Sequence, residues 1–519
     1  MPAIITDNLK IQNCSNFVSQ IAGSDSNYYI SIGIANPDFY FSDFDTNPPA
    51  PIDNTTYLNF YRDNILGVKK ITASDVIRVV PKVEWKRGTT YDLYRHDYSV
   101  NNTTKVTGFS SLYDSNFYVV NDFKVYLCLN NGASSSNSMK GVPSTIAPVQ
   151  TDTADLTDKG DGYVWKYLYT ISPGDFLKYD STNFISVPNN WLTSSDAAIV
   201  SVRESATDGE IKTILIERAA KYNITSNTVT CNIEGDGTGG TASVTFDSLG
   251  NPNKVQVLTG GSGYTFATLN LDAVVSPIDT NNKAIFNVII PPEGGHGADI
   301  YRELGANRVL IYSRIENSST NPDFIENNQF ASVGIIKDVK SYKSSSLFTS
   351  DTGSGVYGIS LNTSEQLTPD ALIEQSSSGG TARGSLVTSK FYGTENITIV
   401  KYSQTRDYYT DSYSEGNVVN IFDPFIVNPN FSGLNNSSVY KFIEFDSSNP
   451  VTINNNSYNV SSSFNGDEIN SESLGQEFTS GISKPDINTK SGDILYVDNR
   501  VPVNRSPDQR EDIKIIIEF

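Results

Sequence analysis

The tetrapeptide Asp351-Thr352-Gly353-Ser354 matches the active-site sequence of aspartic proteases. That chemistry needs two carboxylates that share one proton. The sequence holds no second copy of the tetrapeptide, so a homodimer would have to supply the partner carboxylate. The tetrapeptide also lies in a Ser- and Gly-rich stretch, which is typical of an ordinary turn. We therefore predict a turn here and no protease site.

Two glycine-rich runs, Glu234–Gly240 and Gly260–Tyr264, have the composition of loops that cradle phosphate groups. Neither run carries the Lys-Ser/Thr pair of a P-loop, and neither leads into a predicted helix whose N-terminus would hold the anion. Hairpin turns that need positive φ explain the glycines better. We predict turns at both runs and no nucleotide site.

His96 and His296 are the only histidines of the chain. A Ser-His-Asp triad needs one of them beside a nucleophile, but the sequence contains no Gly-x-Ser-x-Gly elbow. It also lacks the His-Glu-x-x-His pattern of zinc hydrolases. His296 lies in the glycine loop Gly294–Gly297, where a flexible turn is expected. We predict that neither histidine is catalytic.

Asp155, Asp158 and Asp161 resemble a cation-binding loop, but they are spaced at every third residue. An EF-hand loop needs ligands at alternate positions, so we predict a solvated turn that leads into a strand at Tyr163. The many carboxylates and aromatics would also suit a glycosidase, whose two carboxylates lie about 5 to 9 Å apart. The sequence does not identify such a pair, and we assign no catalytic, cofactor-binding or metal-binding residue.

The charge balance and the cysteines argue against several classes of protein. Lys and Arg number 38 against 58 Asp and Glu, a formal charge of −20, whereas nucleic-acid binding needs a basic surface. Cys14, Cys128 and Cys231 are widely separated and show no Cys-x-x-Cys spacing, which favours synthesis in a reducing cytoplasm without disulfides or zinc. We expect no signal peptide and no membrane span, because no apolar run approaches roughly 18 residues.

The elements that position these residues are predicted to be mostly strands. Only 18% of the residues are charged, and the polar remainder of Asn, Ser, Thr and Gly disfavours long helices. Period-two alternation indicates strands at Tyr28–Ile34, Trp165–Ile171 and, most clearly, Ile513–Phe519. We predict a mainly β fold: a β-sandwich core with short helix-bearing loops and inserted small β domains.

Helical signals are few and short. Thr72–Asp75 resembles a capping box ahead of an apolar run that ends at Pro81, which indicates one helix start. Tyr57–Leu66, stopped by a glycine, and Ala298–Leu304, closed by Gly305, are two further candidates. We expect all three to decorate a scaffold of sheets.

The length of 519 residues suggests about two to four domains. Residues 206–290 hold short strands between glycine turns, and residues 346–484 are rich in Ser, Asn and Gly, with strand-like segments at Ile397–Tyr402 and Tyr440–Phe445. We interpret both stretches as inserted β modules. The core is then predicted to be discontinuous and to comprise residues 1–205, 291–345 and 485–519.

Five segments, in the same order along the chain, resemble the baseplate wedge subunit encoded by gene eight of T4-like phages: Asn27–Gly33, Val80–Trp85, Gly160–Leu168, Asn328–Asp338 and Gly492–Arg500. The last is the most convincing, since Pro502, Asp508-Gln509 and the terminal Ile/Phe strand follow it. Together the matches cover roughly residues 20 to 200, 300 to 345 and 488 to 519. The two inserts depart from the family's T4 form, as in the enlarged versions of T4-like phages of other hosts, cyanobacterial ones among them.

The resemblance implies a homodimer that contacts other wedge proteins in the virion tail baseplate, after synthesis in the bacterial cytoplasm. That baseplate changes shape on host contact and triggers sheath contraction, and the family has no catalytic or cofactor residues. We therefore expect a structural protein and no enzyme, with no nucleic-acid, membrane or small-molecule partner. A carbohydrate-binding or glycan-hydrolysing tail protein, and an adhesive role for residues 346–484, stay open as alternatives. The aromatic face of Trp165, Tyr167 and Tyr169 is expected to be core and not interface.

Overall fold

The computed structural model describes residues 3–34, 46–316, 327–377, 380–404, 444–506 and 509–519. Strands account for 42% of the structure and helices for 12%. Neighbouring strands run antiparallel in the sheets, as β1 does with both of its partners. The prediction of a mainly β fold is confirmed.

Apart from the first, the helices are short: α1 (Asp7–Ala22), α2 (Thr55–Asp63), α3 (Pro173–Tyr179), α4 (Ala197–Glu204) and α5 (Ile300–Leu304). Single 3₁₀ turns lie at Ala73–Asp75, Leu112–Asp114, Ser135–Asn137 and Leu271–Ala273. The strands, in chain order, are β1 (Tyr28–Ile34), β2 (Ile65–Ile71), β3 (Val76–Pro81), β4 (Tyr118–Asn121), β5 (Lys124–Asn131), β6 (Tyr163–Thr170), β7 (Phe184–Val187), β8 (Thr213–Arg218), β9 (Thr228–Gly235), β10 (Thr241–Phe246), β11 (Pro252–Thr259), β12 (Ala267–Leu269), β13 (Ile285–Ile289), β14 (Arg308–Glu316), β15 (Asn328–Lys337), β16 (Lys340–Ser341), β17 (Thr352–Ser354), β18 (Tyr357–Leu361), β19 (Leu372–Ser377), β20 (Gly380–Tyr392), β21 (Ile397–Ser403), β22 (Val451–Ile453), β23 (Asn456–Tyr458), β24 (Gly466–Ile469), β25 (Glu472–Thr479), β26 (Ile482–Ser483), β27 (Ile487–Asn488), β28 (Asp493–Arg505) and β29 (Arg510–Glu518).

The chain divides into two compact units, and each is assembled from separate stretches of sequence. The first unit comprises Met1–Val18, Ile77–Leu310 and Ile516–Phe519, and the second comprises Ser19–Val76 and Ile311–Ile515. Both units therefore depend on chain segments that are far apart in sequence. The boundaries that the sequence suggests for the inserted modules stay a prediction.

The first unit contains a sheet of order β4–β5–β6, a sheet of order β11–β10–β9–β12 and the pair β13–β8. The strands β3 and β7 of this unit belong to a sheet of order β29–β14–β3–β7. Trp165 and Tyr167 on β6 are each 5% exposed and Tyr169 is 2% exposed, within one large hydrophobic cluster. The aromatic face predicted to be core is core. All the buried residues of a second hydrophobic cluster lie between Ile211 and Ile290 in the sequence. Residues 206–290 therefore have a hydrophobic cluster of their own.

The second unit contains a five-stranded sheet of order β17–β2–β1–β15–β28. Its central strand, β1, is buried on both faces from Tyr28 to Gly33. Tyr28 pairs with Ile71 of β2 on one side and with Lys337 of β15 on the other. Because both of its faces are buried, the alternation in this segment does not separate a buried face from a solvent-exposed one.

A nine-stranded sheet in the second unit has the order β23–β22–β19–β20–β21–β18–β26–β25–β24. Its strand β21 is buried along its whole length and confirms the strand predicted at Ile397–Tyr402. The strand predicted at Tyr440–Phe445 falls mostly outside the described residues, which resume at Glu444. Gly358 of β18 pairs with Ser483 of β26, so the first and last strands of this sheet along the chain are neighbours.

The three predicted helices had different outcomes. The helix closed by Gly305 is confirmed as α5, and Gly305 has the positive φ of 67° that ends a helix. The second candidate ends at Asp63, three residues early, because Ile65 begins β2. The third prediction is wrong: Thr72 does cap a single 3₁₀ turn, but the apolar run that follows is the strand β3.

The three cysteines, Cys14, Cys128 and Cys231, are buried and free. Burial raises the pKa of each thiol, that of Cys14 to about 11. Among the helices of the described ranges, none is both long and apolar enough to cross a membrane.

Candidate functional site

The aspartic-protease-like tetrapeptide lies on a strand. Thr352–Ser354 form β17 and pair with β2, so the predicted turn is wrong for these three residues. A Cβ on Gly353 would lie 2.6 Å from the ring of Phe348, which means that packing requires glycine there. Asp351 is exposed, and its backbone carbonyl accepts a hydrogen bond from the Lys70 N–H at 2.7 Å. The tetrapeptide thus has a structural explanation.

The two glycine runs close on one buried side chain, Tyr264. Its hydroxyl accepts a hydrogen bond from the Gly240 N–H at 3.1 Å and donates one to the Ile233 carbonyl at 3.0 Å. A Cβ on Gly237 would lie 2.5 Å from the tyrosine ring, and one on Gly261 would lie 2.8 Å from it. The glycines let the backbone approach this ring, and the φ of 66° at Gly261 is of the kind that the predicted turns need.

His296 is buried, which contradicts the prediction of a flexible turn. The side chain is paired with Glu303 of α5: Nδ1 lies 2.6 Å from the carboxylate Oε1, while Oε2 accepts the Gly297 N–H at 2.8 Å. The edge of the Tyr94 ring packs against the imidazole, with 4.8 Å between ring centroids. His96 instead accepts a hydrogen bond from the Ile290 N–H at 3.1 Å through its Nδ1.

A buried carboxylate that holds a histidine ring is also the arrangement that orients a general base. Such a base needs a nucleophile at its other ring nitrogen, and Nε2 of His296 makes no hydrogen bond to any residue of the described ranges. Trp191 closes the same loop, because its indole N–H donates to the carbonyls of Gly297 and Ala298 at 3.1 Å each. We interpret the His296–Glu303 pair as a structural contact that fastens the glycine loop to α5.

The three aspartates of the predicted cation loop do not converge. Asp155 pairs with Lys159, and Oδ1 of Asp158 accepts the Gly160 N–H at 2.8 Å. Asp161 binds three backbone N–H groups and one hydroxyl. Within the described ranges no group of three or more His, Cys, Asp or Glu side chains could hold a metal ion. These carboxylates organise the turn that leads into β6.

The outer strand β28 forms the most open part of the second unit's five-stranded sheet. It pairs with β15 on one side, and no strand of the described ranges pairs with its other side. Leu495, Val501 and Val503 on this strand are 48%, 54% and 37% exposed. Pro502 lacks an N–H, and proline is a residue that limits indiscriminate pairing at sheet edges. We call Asp493–Arg505 the edge surface.

Sequence reasoning missed two buried side-chain pairs, His296 with Glu303 and Asp63 with Lys490. The partners of the second pair are separated by most of the chain. The partners of the first are seven residues apart, but only Glu303 is on a helix, since His296 lies on the loop before α5. No local pattern in the sequence indicates either pair.

Comparison with known proteins gives no assignment: no family model and no curated protein matches the chain. The edge surface presents exposed apolar side chains together with a strand edge that no strand of the described part of the chain covers.

Proposed function

We propose that the chain is a non-catalytic structural subunit of a contractile phage tail, a component of the baseplate wedge. One observation carries the proposal: Asn27–Gly33, Asn328–Asp338 and Gly492–Arg500, three of the segments that resemble the wedge family, supply the adjacent strands β1, β15 and β28. If the resemblance reflects a shared fold, such segments should build one scaffold. Their adjacency in one sheet supports the proposal.

The register of this sheet makes the adjacency specific. Ile335 of β15 pairs with Ile30 on one side and with Tyr496 on the other. If three short segments resembled the family by chance, there would be no reason for them to become neighbouring strands. The pairing is what a shared fold of the three segments would produce, and it supports the proposal.

We further propose that the edge surface docks a second copy of the chain. Antiparallel pairing of two β28 strands about Asn499 would place Asp498 opposite Arg500 of the second copy, and Leu495 opposite Val503. Opposite charges and apolar side chains that face each other across strands stabilise a sheet, and a two-fold contact requires a self-complementary surface. These two pairs, on either side of Asn499, give the edge surface a self-complementary centre. A stable contact would bury about 1,000 Å² or more.

Light scattering at micromolar concentration tests the dimer. We expect a dimer for the natural chain and weakened association for Asp498→Arg or Arg500→Asp, because each places like charges opposite each other. The double variant should associate again, and an equimolar mixture of the two single variants should form heterodimers. A natural chain that is monomeric throughout, or single variants that dimerise as well as it does, would contradict this docking mode.

A matched control separates the edge surface from general effects of exposed apolar residues. Leu249 is 64% exposed and lies in a turn of the first unit. Leu249→Lys should leave the association unchanged, whereas Leu495→Lys should weaken it. Equal effects of the two substitutions would mean that the edge surface is not the contact.

The role in the virion has its own tests. A map of the virion tail is expected to show this chain in the baseplate, in contact with other wedge proteins. Incubation with host envelope polysaccharide is expected to yield no new reducing ends. A tail without this chain would overturn the proposal, and new reducing ends would favour the glycan-hydrolysing alternative.

A further inference from the structure

Asp63 and Lys490 form an unusual buried contact in the second unit. Asp63 is the last residue of α2, and Lys490 lies in the turn between β27 and β28. The lysine Nζ and the carboxylate Oδ1 contact each other more closely than a hydrogen bond allows. Both atoms are buried, and neither makes a hydrogen bond to any described residue.

The surroundings do not suit a simple ion pair. The Asp63 side chain is 5% exposed, and Tyr61, Ile65 and Ile487, close to the pair in sequence, belong to one hydrophobic cluster. Two charges taken out of water are stable only when further hydrogen bonds satisfy their remaining donors and lone pairs. Neither Oδ1 nor Nζ has such bonds.

A hydrogen bond from the Arg62 side chain holds the two segments together at this point. The guanidinium Nη2 of Arg62 donates to the Gly492 carbonyl at 2.6 Å, which joins the end of α2 to the turn that carries Lys490. The same turn is ordered by Asn488: its Oδ1 accepts the Lys490 N–H at 3.1 Å, and its carbonyl accepts the Ser491 hydroxyl at 2.6 Å. The lysine and aspartate side chains are thus held in place by their own main chains.

We propose that Lys490 and Asp63 condense to form an intramolecular isopeptide bond. The neutral Nζ of Lys490 attacks Cγ of the protonated Asp63 carboxyl group. A C–N bond forms, the C–O bond to the hydroxyl breaks, and a proton from the nitrogen leaves with that hydroxyl as water. The product is a secondary amide, and no oxidant, reductant or co-reactant is required.

The local electrostatics favour the reactive form of the lysine. Burial lowers the pKa of Lys490 to about 7, and the positive charge of Arg62 lowers it as well. A substantial fraction of the amine is therefore neutral near pH 7, whereas an exposed lysine, with a pKa of about 10.4, is almost wholly protonated. The nucleophile forms without help from another base.

The bond would join the end of α2 to the turn before β28 and close a covalent ring of the main chain from Asp63 to Lys490, which includes most of the residues of both units. This inference does not depend on the proposed function, because it concerns only the chemistry of one buried pair. A dimeric baseplate subunit could lack the bond, and an unrelated protein could contain it.

Intact mass of the purified full-length chain tests the bond directly. We expect a mass lower than the sequence requires by one molecule of water. Cyanogen bromide gives a second readout, because Met139 is the only methionine besides Met1 and lies between Asp63 and Lys490. The cleaved chain should migrate as one linked species under denaturing conditions. The full mass together with two separate fragments would overturn the proposal.

Variants locate the bond. Lys490→Arg and Asp63→Ala should each restore the full mass expected for their sequence and release two fragments. Lys484→Arg is the matched control, since Lys484 makes an ordinary ion pair with Glu444 at 3.0 Å in the same unit and its loss should leave the fragments linked. Linked fragments in Lys490→Arg would place any cross-link elsewhere and refute the assignment. The measurements on the natural chain decide the question even if a variant fails to fold.

Discussion

Trp85 and Asp161 bind the same hydroxyl group, that of Ser144. The indole N–H of Trp85 donates to Ser144 Oγ at 3.0 Å, and this hydroxyl donates to Asp161 Oδ2 at 3.2 Å. Ser144 is fully buried. Trp85 and Asp161 belong to the two remaining segments that resemble the wedge family, Val80–Trp85 and Gly160–Leu168. These two matches, like the three in the second unit, therefore meet in space.

The Asp161 carboxylate should be a strong contributor to the stability of the first unit. Its Oδ2 accepts the Thr145 and Ile146 N–H groups at 2.8 and 3.0 Å, and Oδ1 accepts the Tyr163 N–H at 3.2 Å. Asp161→Ala should lower the free energy of unfolding by about 2 kcal/mol, because several donors lose their acceptor together. Urea unfolding measures the change. Asp155→Ala, which removes a surface ion pair with Lys159, is the control and should have little effect.

Glu303 should matter for folding and not for any chemistry. Glu303→Ala leaves the His296 ring and the Gly297 N–H without their acceptor in the interior, and we expect a loss of about 3 kcal/mol in the free energy of unfolding. Glu303→Gln keeps one acceptor oxygen and should lose less. Guanidinium unfolding of the three proteins measures both changes. An unfolding midpoint for Glu303→Ala equal to that of the natural chain would show that the pair contributes nothing.

The lowered pKa of Glu444 predicts that the free energy of unfolding falls in acid. Burial raises the pKa of Glu444, but hydrogen bonds from Lys343, Tyr342 and Lys484 outweigh burial and lower this pKa to about 2. An unfolded glutamate titrates near about 4.3, so the stabilisation is complete above that pH and is lost as the pH falls towards 2. Between pH 7 and 3 the natural chain should lose on the order of 2 kcal/mol more than Glu444→Gln. Replacing the exposed Glu395 by Gln should not change the pH profile.

The nine-stranded sheet should be removable as a block. Its strands run from Tyr357 to Ser483, and β18 and β26 are hydrogen-bonded neighbours, so a short linker from Val356 to Lys484 can bridge the cut. We expect the shortened chain to unfold cooperatively in thermal melts and to keep its dimer in light scattering. If residues 346–484 have an adhesive role, phage that carry this deletion, which removes most of those residues, should assemble baseplates and adsorb poorly. Loss of assembly instead would reject an adhesive role.

The sequence predicts strands with one buried and one exposed face better than it predicts buried elements. In β29, Ile515 is 5% exposed while its neighbours Lys514 and Ile516 are exposed, and this alternation is legible in the residue types. The run after Thr72 was misassigned because a real capping box precedes it. The β-branched residues of that run, Val76 and Ile77 among them, are stiff at χ1 and pack better on a strand.

The longest helix was not predicted at all. In α1 the residues Ile11, Cys14, Val18 and Ile21 are buried at helical spacing. The positions between them are filled with Asn, Ser and Gln, and Asn and Ser are weak helix formers that compete with the backbone for hydrogen bonds. Packing of the four apolar residues outweighs this preference. Their spacing of three, four and three residues is a helical signal in the local sequence that our prediction missed, because the composition around it favours turns.

The buried pairs were inaccessible to sequence reasoning for a different reason. Asp63 and Lys490 become neighbours only because β1, β2, β15 and β28 assemble into one sheet. A single sequence, read without an alignment, contains no signal for a contact of that range. The carboxylates that were singled out by their spacing, such as Asp158, serve a local turn instead.

The three buried cysteines allow the rate of local opening of the folded state to be measured. Cys14 and Cys128 lie in the first unit and Cys231 lies in its glycine-punctuated stretch, each enclosed in protein. A thiol reacts as the thiolate and only when a reagent can reach it, so alkylation must wait until the surrounding residues open. The rate at which iodoacetamide labels each site, resolved by peptide mass, would report the opening of three separate regions without any engineered probe. Labelling of all three within seconds under native conditions would mean that the thiols are not enclosed.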